Sequence, residues 1–85
     1  MHPSNDDIAK TILALCRTRG VGKTICPSEA ARAVASDDDW RSMMEAVRTV
    51  ATAMAAAGTI AITQGGNAID PTQTRGPIRL GLPRK

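Results

Sequence analysis

Ile8, Ile12, Leu15 and Cys16 recur at i, i+4, i+7 and i+8 in an otherwise polar segment, the spacing of a helix with one buried face. The flanking residues predict that this helix runs from Asn5 to Arg19. Ser4 or Asn5 accepts hydrogen bonds from the free N–H groups of the first turn, Asp6 and Asp7 suit the positive end of the helix dipole, and Arg17 and Arg19 suit the negative end. Gly20 supplies the stop. Thr24-Ile25-Cys26 has room only for a short strand. Pro27 then starts a second helix that continues through SEAARAV to Ala35, with Ala30, Ala31 and Val34 as its buried positions.

The longest periodic run, SDDDWRSMMEAVRTVATAMAAAG, predicts a third helix from Asp38 to Ala57, closed by Gly58. At roughly 100° per residue, Trp40, Met43, Met44, Val47, Val50, Ala51 and Met54 share one arc of about 120°, the width of a core-facing stripe. Asp37, Asp38 and Asp39 at its start are read as capping and dipole residues. From Thr59 the period drops to two. Ile60 and Ile62 alternate with Ala61 and Thr63, Gly65-Gly66-Asn67 supplies a hairpin turn, and Ala68-Ile69 returns as a brief strand before Asp70-Pro71 breaks it. Ile78, Leu80 and Leu82 alternate again, which predicts one more strand, with a loose tail after Pro83.

Helix, short strand, helix, long helix and hairpin is the order of a winged helix-turn-helix. The predicted fold class is α+β, mostly α: three helices plus a small antiparallel sheet with a wing, in a single domain with its ordered core over residues 5–82.

GKTICPSEAAR, Trp40, Val47-Arg48, AAAGTIAITQGG, Asp70-Pro71 and RGPIRL carry a further signal. Through them the chain resembles a family of small, mainly bacterial domains of unassigned function that have a winged-helix fold. The resemblance covers nearly everything from the first helix to Leu82. It implies the fold and brings no catalytic or binding residue with it.

Composition narrows the chemistry. The 85 residues include no Phe, no Tyr and one Trp, so the core is built from Ile, Leu, Val, Met and closely packed Ala. No apolar run reaches the roughly 20 residues of a membrane span, and the N-terminus has no signal-peptide hydrophobic region; the expectation is a cytoplasmic protein with no membrane partner. Cys16 and Cys26 stand ten apart with no second ligand at zinc spacing, and the lone His2 is terminal. Free thiols, no metal and no cofactor are therefore expected. With no paired carboxylates or activated nucleophile in view, neither is an enzyme.

Gly-Val-Gly-Lys-Thr at residues 20–24 imitates the end of a phosphate-binding loop. A complete loop has glycine five positions before Gly22, where this chain has Arg17, and its helix follows directly, where this chain has Pro27. The preceding segment is predicted to be helix rather than strand, and no acidic residue ends a nearby strand to hold magnesium. No nucleotide is expected there.

The net charge is +3. Its distribution is more informative: basic segments at 17–35 and 59–85 flank an acidic one. In a winged helix the third helix commonly enters the major groove while the wing touches the backbone, so duplex DNA is the expected partner, bound in a regulatory role. Arg41 and Arg48 occupy one predicted face, with Ser42, Thr49 and Thr52 as hydrogen-bonding neighbours. Lys23 and Arg32 are assigned to the flanking backbone, and Arg75 and Arg79 to the wing. The alternative is a protein interaction or adaptor module on the same scaffold. Asp37 to Asp39 favour that alternative because they would repel phosphates. Single-strand recognition lacks the Phe and Tyr it stacks on.

Overall fold

The structure, a computed structural model, describes residues 4–35, 38–69 and 76–83. Ser4 opens α1 (Asn5–Arg19) with a reciprocal cap: its hydroxyl accepts from the Asp7 amide at 3.1 Å, and its own amide donates to the Asp7 carboxylate at 3.2 Å. Gly20 closes the helix at φ 100° and donates back to the Cys16 carbonyl. Ile8, Ile12 and Cys16 are buried as predicted, while Leu15 is half-buried at the margin.

β1 (Thr24–Ile25) is one residue shorter than expected, for a definite reason. The Cys26 amide donates to the Glu29 carboxylate at 2.7 Å, so Cys26 serves as the N-cap of α2 (Pro27–Val34) instead of extending the ladder. Ala30 and Ala31 are buried, and Val34 is half-buried.

The predicted single helix from Asp38 to Ala57 is divided. Trp40–Met43 forms a 3-10 turn, and α3 spans Met44–Ala56. Both the amide and the hydroxyl of Ser42 donate to the Asp39 carbonyl, at 3.0 and 2.7 Å. That i to i+3 capture tightens the turn. The cap is thus built on the Asp39 carbonyl, and the capping bond predicted for the Asp39 side chain is not made. At the other end Thr59 donates to Met54 and Gly58, at φ 80°, donates to Ala55. This is a Schellman closure.

β2 (Ala61–Gln64), β3 (Asn67–Ala68) and β4 (Arg79–Gly81) complete an antiparallel sheet ordered β1-β4-β2-β3. Gly65 and Gly66 both have left-handed φ, 59° and 85°, which lets two residues close the hairpin and pairs Asn67 with Gln64 directly. The return strand therefore starts at Asn67 rather than Ala68. The inner sheet positions Ile25, Ile62 and Leu80 meet Ile60, Ile78 and the buried faces of the helices in one core. Each such side chain stabilises the fold by about 1.5–3 kcal/mol.

Among the described residues the fold is thus mostly helical α+β, three helices on a small antiparallel sheet, in a winged-helix-like arrangement. No helix there is long and apolar enough to cross a membrane. Asp37, Asp70, Pro71, Arg75 and residues 84–85 lie outside the described residues.

Candidate functional site

The eight candidate contacts among the described residues separate into those committed to the fold and those left at its surface. Arg79 is committed: Nε donates to the Thr24 hydroxyl at 2.9 Å and Nη2 to the Thr24 carbonyl at 3.1 Å. The same carbonyl accepts from Arg19 Nη1 at 3.0 Å, and Arg19 also pairs with Glu29. One carbonyl thereby collects two guanidiniums from α1 and β4.

Glu29 completes this junction. The Cys26 amide, and with it the Arg19 guanidinium, holds the Glu29 carboxyl below its ordinary 4.5, against a weaker upward push from partial burial. Nearby, burial pushes the Cys16 thiol above its ordinary 9.0, only partly offset by the charge of Arg19. Cys16 is a core thiol kept neutral. The Ser28 hydroxyl donates to the Cys26 sulfur at 3.1 Å.

Helix-borne candidates are also partly committed. Arg48 is half-buried and Nη1 donates to the Gly76 carbonyl at 3.4 Å, so its side chain leans toward the residues preceding β4. The Thr52 hydroxyl donates back to the Arg48 carbonyl at 2.8 Å, and the Ser42 hydroxyl is taken by Asp39. Thr49 is exposed. Together Glu45, Thr49, Ala53 and Ala56 form the exposed stripe of α3, and the single charge on that stripe is negative.

Arg32 and Arg41 behave differently. Their guanidinium carbons lie 4.4 and 4.6 Å from the centroid of the Trp40 ring. Trp40 was expected in the core, but it is half-buried and serves as a platform for both exposed arginines where α2 gives way to the 3-10 turn. Stacking uses the face of a guanidinium and leaves its in-plane N–H groups for an anion. Asp38 and Asp39 are exposed alongside. Lys23 is exposed on the loop into β1, on the sheet side of the molecule. Arg75 lies outside the described residues. The structure brings Arg32 and Arg41 together at Trp40, and Lys23 and Arg79 together along one side of the sheet.

Local pattern could not reveal the Thr24 junction or the Trp40 platform. Arg79 and Thr24 are 55 positions apart, and Arg32 reaches Trp40 across a change of element. A cavity of about 380 Å³, lined by Cys26, Pro27, Met44, Arg48, Pro77 and Ile78 among others, lies between the starts of α2 and α3 and the residues before β4. Among the described residues no three His, Cys, Asp or Glu side chains gather closely enough to hold a metal ion.

A small, mostly helical α+β domain of three helices, an antiparallel four-stranded sheet and a short hairpin is what these elements define. Over residues 5–83 the chain matches the family described as protein of unknown function (DUF3253). It belongs to that family. No curated protein matches the sequence.

Proposed function

We propose that this protein binds duplex DNA through the corner between α2 and α3, with Arg32 and Arg41 as its phosphate contacts. The observation that supports the reading is the pair of exposed guanidiniums stacked on Trp40. The ring fixes both side chains before a partner arrives, so less side-chain entropy is lost on binding. The reading expected from sequence is thereby narrowed. Arg48, Thr52, Ser42 and Arg79 have roles within the fold, and the proposed contacts belong to the last turn of α2 and the 3-10 turn rather than to the length of α3.

Fluorescence anisotropy with random duplex DNA between about 50 and 200 mM salt tests the proposal, because each neutralised phosphate contributes about −0.9 to the slope of log affinity against log salt. Replacing Arg32 and Arg41 together with Ala is expected to remove about 1.8 from that slope. Asp38→Asn with Asp39→Asn is expected to tighten binding by removing the adjacent repulsion. An unchanged slope in the double Arg variant sinks the corner as the interface.

A second reading has its own observation. The exposed stripe Glu45, Thr49, Ala53 and Ala56 carries no cation, and Thr49 and Ala53 also line an open groove of about 420 Å³ against Ala9 and the start of α1. Small uncharged positions there suit contact with another protein. Concentration-dependent sedimentation that Thr49→Arg abolishes is the result this second reading requires in its self-associating form.

A further inference from the structure

Opposite the helices, the sheet has an outer face of its own. Strand register places Thr24, Gly81 and Ala61 in one transverse row, and Arg79, Thr63 and Ala68 in the next. Their inner neighbours Ile25, Ile62 and Leu80 are in the core. Apart from Arg79 the two outer rows are made of small side chains, and at Gly81 even a Cβ would lie 2.9 Å from the Lys23 carbonyl. The result is a concave trough of about 430 Å³, with Lys23 and Leu82 at its rim. That volume is in the range of small-ligand pockets.

Charge in the trough is one-sided. Lys23 and Arg79 line it and no carboxylate does. Among the described residues the ion pairs are Lys10 with Asp6 and Arg19 with Glu29, so neither trough cation is neutralised by a pair there. Glu29 is near enough to feel Arg79, yet its oxygens are already engaged by the Cys26 amide and Arg19. Arg79 is held in position by its two bonds to Thr24, while Lys23 is exposed on its loop. A fixed cation and an adjustable one thus meet over a surface of methyl groups and hydroxyls.

We propose that this trough binds a small phosphomonoester. Its phosphate sits between Lys23 and Arg79, and its organic body lies over Ala61, Thr63 and Ala68. The phosphate accepts from the lysine ammonium and the guanidinium; the small side chains leave room for the body, and Thr63 offers a hydroxyl to it. Gly-Lys-Thr thus supplies an anion contact from a sheet rim, without the backbone cradle of a nucleotide loop. This inference is independent of the DNA reading, which uses Arg32 and Arg41 on Trp40.

The test is an amide-resolved NMR titration of the full chain with phenyl phosphate, with phenol and inorganic phosphate in parallel arms at matched ionic strength. Phenyl phosphate is expected to produce saturable shifts at Lys23, Thr24, Thr63 and Gly81, with phenol silent and inorganic phosphate weaker. Thr63→Glu places a negative charge in the trough and is expected to weaken phenyl phosphate at least about tenfold. Lys23→Gln, at an exposed loop position, is expected to weaken it severalfold without loss of fold. The Arg32 and Arg41 double variant leaves these shifts in place even if it abolishes DNA binding. Absence of saturation, shifts centred on Arg32 and Arg41, inorganic phosphate binding as tightly as phenyl phosphate, or a folded Thr63→Glu chain that binds unchanged each overturn the assignment.

Discussion

Glu29 joins three segments with one carboxylate: it accepts from the Cys26 amide and from Arg19, and the charge of Arg79 acts on it as well. Its folded titration lies below 4.5. Unfolding therefore takes up a proton in the interval between the folded value and 4.5. The stability Glu29 contributes is present at neutral pH and is lost as pH falls through that interval. The carboxylate is 38% exposed, so solvent screens the effect and keeps it modest. Thermal melts followed by circular dichroism between about pH 6 and 3 are expected to show a shallower acid decline for Glu29→Gln than for the natural chain. The variant's melting temperature at pH 7 is expected to be lower. From sequence, the helix start at Pro27, with Glu29 inside the helix, was legible. That Glu29 also anchors the end of α1 was not, because Arg19 is ten positions away in another element.

At the scale of elements, Gly81 shows what strand pattern conceals. Alternation of Ile78, Leu80 and Leu82 announced β4, yet it made Gly81 only a spacer between apolar positions. In the sheet, Gly81 is paired with both Thr24 and Ala61, and a methyl group there would press on the Lys23 backbone at 2.9 Å and the Thr24 methyl at 3.3 Å. Gly81→Ala is expected to destabilise the protein by about 1–3 kcal/mol, since backbone cannot yield as a flexible side chain does. Urea denaturation measures it. The helices were more readable because their stripes are periodic: Ile8, Ile12 and Cys16, or Val47, Ala51 and Met54, repeat at the turn of an α-helix. The 3-10 start of the third helix escaped that logic. Ser42 competes for the Asp39 carbonyl through its hydroxyl, a local choice with no period.

For the molecule as a whole, the two thiols act as reporters of different motions. Cys16 is fully buried, and burial raises its titration above 9.0; Cys26 is half-buried and lines the cavity between α2 and α3. Iodoacetamide under native conditions is expected to label Cys26 and spare Cys16 until denaturant opens the core. Peptide mass spectrometry distinguishes the two sites. Native labelling of Cys16 at the rate of Cys26 would mean that the core opens without global unfolding. The candidate site was the least legible scale. Sequence supplied its cations, but the partition of those cations between a Trp40 platform, a Thr24 junction and a sheet trough depends on contacts between distant segments.

The strand order has one more consequence. β4, the last strand described, lies between β1 and β2 rather than at an edge. During synthesis the first strand and the hairpin emerge from the ribosome with a gap between them, and neither can pair with the other until residues 79–81 arrive. The helices have their sequence early, but Leu80, a fully buried side chain on the central strand, arrives late. A nascent chain of this protein therefore holds Ile25 and Ile62 without their cross-strand partner Leu80 until that residue emerges, and the joining of β1 to the hairpin becomes a single event that follows the emergence of RGPIRL.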